Sequence, residues 1–344
     1  MNLNAINVNF YGSNLNHKAT NNNIRAVAFT GHELITLERQ KIMGEIQAEI
    51  ESANKIAIFT HTNPDGDAAG SAAALKNLIK TKYPKKQVDV FIVNSIPKGF
   101  NILEDTKSFN YINEKTNIDG LKKRNYDLAI SVDCAVSGMM GKAERIYTSI
   151  PRKVKIDHHP SEGESFSDID LTCEEASSAT QVILMLANFM KVGLTPNMAS
   201  DIYMGLVTDT GGFRFMKKPA DVFEDCSELT KTPFDTKKVY CSSMDYMTLD
   251  AFKLYSNILN RIKFAEGGQL AYVVDDDTLD KHMVQKPDVK NIFDKIVGTT
   301  MVNIEGVKIA AKLGDGEDQV SGSLRGNGVK VNTLAEQMGG GGHE

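Results

Sequence analysis

Aspartate and histidine recur at four separated places in this chain: His61, Asp65 and Asp67 in HTNPDGDAAGS, Asp133 in SVDCA, the run Asp157, His158 and His159, and Asp209 in TDTGGF. Taken singly, each has an ordinary reading, because Asp-Gly-Asp is commonly a solvated turn and paired histidines commonly lie on a surface. Taken together they carry five carboxylates and three imidazoles. Carboxylates gathered at one place repel one another and raise their pKa values unless cations neutralise them. Two divalent ions about 3.5–4 Å apart, bridged by one carboxylate and capped by imidazole nitrogens, would resolve that repulsion and suit in-line attack on phosphorus. Mixed Asp/His ligation favours Mn²⁺, is compatible with Mg²⁺, and suits Zn²⁺ or Co²⁺ less well.

The convergence follows from the elements that precede these residues. Four short apolar or β-branched runs, at 55–60, 88–93, 128–132 and 154–156, read as buried strands of a parallel sheet. His61 follows the first, Asp133 ends the third, and the Asp157 run ends the last. Helical patterns at about 68–80, 176–190 and 198–207 supply the crossovers, so the fold class is α/β, a doubly wound and mainly parallel sheet. Ligands of such sheets sit beyond the carboxyl ends of the strands, where these polar residues fall. Asp209 instead closes a helical run, and the glycines after it permit a sharp turn.

A chain of 344 residues exceeds what one core usually serves. An Asn-rich stretch, 1–34, reads as a flexible leader, followed by an amphipathic helix at 35–53 that covers an edge of the first domain. The catalytic domain is expected over 35–230 and a helical connector over 231–263. A smaller α+β domain is expected over 264–344, framed by strand-like runs at 270–274 and 307–313 and ending in GGGGH. The formal charge of -5, from 39 Lys and Arg against 44 Asp and Glu, and the lack of a long basic run argue against stable binding of duplex nucleic acid. Four cysteines without paired spacing fit a reducing cytoplasm. No apolar run is long enough to span a bilayer, so no membrane association is expected. Neither a P-loop nor G-x-G-x-x-G spacing is present, and Cys134 reads as a small buried side chain rather than a nucleophile.

The four motifs, in this order, resemble those of the DHH phosphoesterase family. Ser323 and Arg325 followed by GGGGH are similar to the DHH-associated C-terminal domain of its NrnA-type branch, oligoribonucleases that also act on 3'-phosphoadenosine 5'-phosphate. The resemblance covers most of the chain from about Lys55. It implies one metal held by His61, Asp65 and Asp133 and a second held by Asp67, Asp133, His158 and Asp209, with Asp133 bridging. It further implies that Asp157 orients a ligand histidine, that His159 donates a proton or contacts phosphate near the leaving oxygen, and that a metal-bridging water or hydroxide attacks. Ser323, Arg325, Gly340, Gly341, Gly342 and His343 would hold the substrate, with the domains closing over it. The chain departs from the family at Gly326, where serine is usual.

The implied enzyme hydrolyses short oligoribonucleotides and removes the 3'-phosphate of 3'-phosphoadenosine 5'-phosphate, and the resemblance leaves room for a homodimer. A cyclic or linear dinucleotide phosphodiesterase, of the c-di-AMP or pApA type, shares the chemistry. A non-catalytic nucleotide-binding regulator predicts a missing metal ligand, and none is missing. A family II pyrophosphatase is disfavoured by GGGGH, and a RecJ-like exonuclease by chain length.

Overall fold

The computed structural model describes residues 34–160, 165–315 and 320–339, apart from the side chains of 287, 315, 320 and 321. The expected leader lies almost wholly outside these residues, and so do Gly340, Gly341, Gly342 and His343. The first unit runs α1 (Leu37–Ser52), β1 (Lys55–Phe59), α2 (Gly66–Lys82), β2 (Gln87–Val93), β3 (Asn110–Ile112), α3 (Ile118–Lys122), β4 (Leu128–Val132), α4 (Glu144–Tyr147), β5 (Arg152–Asp157), β6 (Ile169–Thr172), α5 (Ala179–Phe189), α6 (Pro196–Asp209), α7 (Pro219–Leu229) and α8 (Thr236–Tyr240). The second runs α9 (Leu249–Leu259), β7 (Lys263–Ala265), β8 (Leu270–Asp275), α10 (Lys286–Lys295), β9 (Ile309–Asp315), β10 (Val320–Gly326) and α11 (Asn332–Gln337).

The first sheet is wholly parallel, in the order β3-β2-β1-β4-β5-β6. Successive side chains of a strand face opposite sides, and in β1 both sides are covered. Ile56 and Ile58 enter the core shared with α2, α5 and α6, while Ala57 and Phe59 enter a second core where Phe59 stacks on Phe91 and meets the edge of Tyr147. That double cover explains why the central strands read as unbroken apolar runs. The order reverses between β1 and β4, which opens a crevice at their carboxyl ends. α1 buries Met43, Ile46 and Ile50 along one stripe and packs against the edge strand β6 and against α5. The short edge strands β3 and β6 carry too few apolar residues to stand out in the sequence.

The second sheet has the order β10-β9-β8-β7, with β8 and β9 parallel and the outer pairs antiparallel. Its core joins Ala271 and Val273 of β8 to Phe293 of α10 and to Ala251, Leu254 and Ile258 of α9. The segment read as a connector is therefore divided: Val239 of α8 packs into the first core and α9 into the last.

α2 and α6 approach unusually closely. A Cβ on Gly66 would lie 2.4 Å from Thr208 Cγ2, one on Gly70 would lie 2.5 Å from the Asp201 carbonyl, and one on Gly205 would lie 2.5 Å from Asp67 Oδ1. These glycines let two helices cross with their backbones nearly in contact.

Candidate metal centre

His61 follows β1 by two residues, and its Nδ1 sits 2.8 Å from the Thr62 carbonyl. With Nδ1–H donating there, the Nε2 lone pair faces Asp133 Oδ2 at 3.5 Å and Asp65 Oδ1 at 3.8 Å. Asp65 is also the N-cap of α2, its Oδ1 accepting from the backbone N–H groups of Asp67 and Ala68 at 3.1 and 3.0 Å. Asp67, one residue into that helix, is buried, and its carboxylate accepts from the N–H groups of Ala179 and Thr180 at 2.6 and 2.9 Å. The start of α5 thus grips it.

Asp133, just past β4, is held in the left-handed region at φ 56°, a costly conformation for a non-glycine residue. Its N–H still bonds to the Ile156 carbonyl at 3.1 Å, so the β-ladder anchors it while the carboxylate turns into the crevice. Oδ2 faces His61, and Oδ1 lies 3.6 Å from His158 Nε2 and 3.5 Å from His159 Nδ1. His158 Nε2 is also 3.7 Å from Asp67 Oδ2 and 3.5 Å from Asp209 Oδ2, the last residue of α6.

Three sets of donors result, each within 4.8 Å: His61, Asp65 and Asp133; Asp67, His158 and Asp209; and Asp133, His158 and His159. Separations of 3.5–3.8 Å exceed hydrogen-bond length. They approach the roughly 3–3.5 Å between two donors that share one cation at about 2.1 Å. Among the described residues, Asp133 Oδ1 and His158 Nε2 are buried without a hydrogen-bond partner, which native structures rarely tolerate unless an ion or water fills the place. The donor set fits divalent cations.

Without cations, protons carry the compensating charge. Burial pushes His61 down, but Asp133 and Asp65 outweigh it and raise the imidazole to about 11. His158 is likewise raised to about 10 against its burial, by Asp133, Asp209 and Asp67. Burial would raise Asp133 and Asp65, yet both lie below the usual carboxylate range, Asp133 through His158 and His61 and Asp65 mainly through His61. Asp67 is driven well up by burial and by the Asp133 and Asp209 charges. Asp209 is raised by burial to about 7, with His158 partly offsetting the Asp133 and Asp65 charges.

The structure corrects one expected role. Asp157 Oδ1 bonds the ring of His159 at 2.9 Å, whereas it reaches His158 only through the backbone N–H at 2.8 Å. The His158 ring instead has Nδ1 3.4 Å from the Ala176 carbonyl. Asp157 therefore orients His159. Two further residues escaped the sequence reading. Lys155 is buried, with Nζ 3.4 Å from Asp170 Oδ2 and 3.9 Å from Asp157 Oδ2; a lysine inside an apolar strand run just before the acidic cluster was the available signal. Lys217 donates to the carbonyls of His158 at 3.2 Å and Glu174 at 2.8 Å, with no local signal at all.

A cleft of about 1470 Å³ lies between the two units, lined by Asp65, Asp209 and Arg214 on one side and by Ser323 and Arg325 on the other. At Gly326 a Cβ would meet the Val329 carbonyl at 2.0 Å, so the turn after β10 requires glycine where serine was expected.

The model of the DHH family N-terminal domain matches residues 55–207. The bifunctional oligoribonuclease and PAP phosphatase NrnA of Bacillus subtilis is 27% identical over 302 residues, covering 87% of this chain and 90% of that one. A Mycoplasma pneumoniae protein, the uncharacterized MG371 homolog, is 30% identical over 306 residues, with 86% of each chain covered. An exopolyphosphatase-related protein from Bacteroides fragilis shares the fold at a TM-score of 0.77 and 24% identity, covering 88% of this chain and 89% of that structure.

Proposed function

This chain belongs to the DHH family, and from that premise we propose that it hydrolyses short oligoribonucleotides and the 3'-phosphate of 3'-phosphoadenosine 5'-phosphate. The observation that carries the proposal is Asp133, whose two oxygens face two different donor sets while its backbone is locked by the β-ladder. His61, Asp65 and Asp133 would hold one divalent ion, and Asp67, Asp133, His158 and Asp209 a second, with Mn²⁺ favoured by the donor chemistry. When bound, the two ions supply positive charge to the phosphate oxygens and lower the pKa of a water between them.

The chain's own groups do the rest. Asp157 fixes the His159 ring with Nδ1 inward, leaving Nε2 to donate a proton to the departing oxygen. Arg214 and Arg325, on opposite walls of the cleft, offer forked donors to phosphates that do not react. We assign metal binding to the first unit and substrate capture to the second, with GGGGH acting alongside Arg325. All four cysteines are free, and no helix among the described residues is long and apolar enough to cross a membrane. Both observations support a cytoplasmic setting.

Purified protein, stripped with chelator and reloaded with Mn²⁺, should release mononucleotides from a labelled diribonucleotide and phosphate from the bisphosphate. Absence of both products would sink the proposal. Cleavage confined to a cyclic or linear diadenylate in the same panel would replace it with the dinucleotide phosphodiesterase reading.

A further inference from the structure

We infer that Phe215 is a stacking shelf for a nucleobase of the substrate, so that the centre selects nucleoside phosphates over phosphate esters without a base. The inference rests on the proposed nucleotide hydrolysis and adds to it a recognition element on the metal-binding unit itself. Its first support is position. The Phe215 N–H donates to the Thr210 carbonyl at 2.9 Å, which pins this residue against the immediate neighbour of Asp209, and Phe215 lines the same cleft as Asp209 and Asp65. A base carried by a phosphate held at the centre would share that cleft with the ring.

The second support is construction. Gly211, Gly212 and Phe213 are successive left-handed residues at φ 58°, 73° and 68°, the last of them strained for a side chain of its size. Buried Thr210 holds the turn together: its Oγ1 donates to the Leu206 carbonyl at 2.6 Å and accepts from the Phe213 N–H at 2.9 Å, while its own carbonyl also takes the Arg214 N–H. The Phe213 ring folds back against Tyr203 and Phe223. Phe215 is sent the other way and is left 64% exposed. A Cβ at position 211 would strike its ring at 2.9 Å, so glycine there lets the ring lie over the backbone.

A strained, tightly bonded turn that presents an apolar ring to a polar crevice, beside the exposed Arg214, has the composition of a nucleotide subsite: a cation for phosphate and a flat apolar face for a base. Stacking on an aromatic ring accepts every base, because each has a π-face, and stabilises binding by enough to change affinity on the order of 10- to 100-fold. A substrate such as pyrophosphate would gain nothing from it.

The test compares kcat and KM of wild type, Phe215→Leu and Phe215→Tyr on a diadenylate and on an abasic dinucleotide with the same sugar-phosphate backbone, in Mn²⁺. For Phe215→Leu we expect KM on the diadenylate to rise on the order of tenfold or more, with a much smaller change on the abasic compound, and Phe215→Tyr to restore the wild-type values. Equal losses on both substrates, or an unchanged KM on the diadenylate, would overturn the inference while leaving the proposed function standing. Wild-type inactivity on the diadenylate would overturn the inference, and inactivity on 3'-phosphoadenosine 5'-phosphate as well would overturn the proposed function with it. Calorimetric titration with Mn²⁺ identifies a misfolded variant, and in that case the comparison passes to Phe215→Tyr against Phe215→Met.

Discussion

Replacing Gly205 by alanine tests whether the close crossing of α2 and α6 serves the metal centre. The new methyl carbon would sit 2.3 Å from Thr180 Oγ1, 2.4 Å from Thr180 Cγ2 and 2.5 Å from Asp67 Oδ1. None of these atoms is the loose end of a long side chain: Thr180 is buried in the first turn of α5, and the Asp67 carboxylate is tied to two backbone N–H groups. An ordinary contact begins at 3.4 Å, so the carboxylate must retreat by about 0.9 Å, the difference between 3.4 and 2.5, or α6 must move away. Overpacking of this kind costs about 1–3 kcal/mol, while alanine over glycine within a helix returns roughly 0.8–1.0 kcal/mol. Net stability should therefore fall by only about 0–2 kcal/mol in urea denaturation of the chelated protein. Metal ligands tolerate displacements of only about 0.2 Å, and a displacement several times larger should weaken Mn²⁺ binding by at least 10- to 100-fold in calorimetric titration. Gly44→Ala is the control, since among the described residues its methyl would meet only Phe189 Cζ at 3.7 Å, and it should leave Mn²⁺ affinity unchanged. A Gly205→Ala protein whose Mn²⁺ affinity stays within twofold of wild type would refute the reasoning, because it would mean that the helices separate without disturbing Asp67.

Asp133→Asn keeps the side-chain shape but removes the shared charge; turnover should fall on the order of 10³-fold, and a variant retaining two tightly bound ions and full turnover would show that no bridge exists. Lys155→Met removes the cation that faces Asp157 Oδ2, leaving the buried Asp157 charge met only on its Oδ1 side by His158 and His159, and should cost about 3–5 kcal/mol by urea denaturation; adding Asp157→Asn should recover part of that loss, and strict additivity would count against the pairing. In the metal-free protein His61 and His158 are raised to about 11 and 10 from 6.5, so the stability they contribute is full below pH 6.5 and is lost as pH climbs through those values. Asp209, raised from 3.8 to about 7, likewise loses its contribution between those two values. The gain in Tm from adding Mn²⁺ should therefore grow from pH 5.5 to 9, with the full complement of ions reached only toward the alkaline end; a gain independent of pH would contradict this electrostatic account.

How much of this was readable in the sequence follows from the range of the forces involved. β1, β2, β4 and β5 stood out because burial on both faces demands largely apolar runs, interrupted by Asp89 in β2 and Lys155 in β5, and the polar residues at their ends could be assigned to one crevice by topology alone. Asp65 was readable as a carboxylate close to His61, while its second role, as the N-cap of a helix that starts at Gly66, came only from the structure. By contrast, β3 and β6 take their register from one neighbour each, and nothing local distinguishes Asn110–Ile112 from a loop. Gly205 could not be interpreted from sequence, because the atoms that require it belong to Thr180 and Asp67 on other helices. The same holds for the partner of Asp157, which is decided by ring orientations within 3 Å and not by order along the chain.

The two proposed ion positions would be unequal, because their ligands carry differently shifted protons. Burial would raise Asp65, but His61 outweighs it, and the Ala68 N–H at the amino end of α2 adds to the lowering, so this group lies below its usual range. Asp209 closes α6 at its carboxyl end, and burial, aided by the Asp133 and Asp65 charges against His158, raises it to about 7. An ion entering among His61, Asp65 and Asp133 displaces a single proton, that of His61, since both carboxylates are already lowered. An ion entering among Asp67, His158 and Asp209 must displace the His158 proton and meets two carboxylates shifted upward. Near neutral pH the first proposed position would therefore fill more readily, and an ion there, by acting on Asp133, would reduce the negative charge that holds the proton on His158. Asp209, 31% exposed at the mouth of the cleft and followed directly by the strained turn to Phe215, is then the ligand whose geometry is least fixed by the fold and most dependent on the occupied centre.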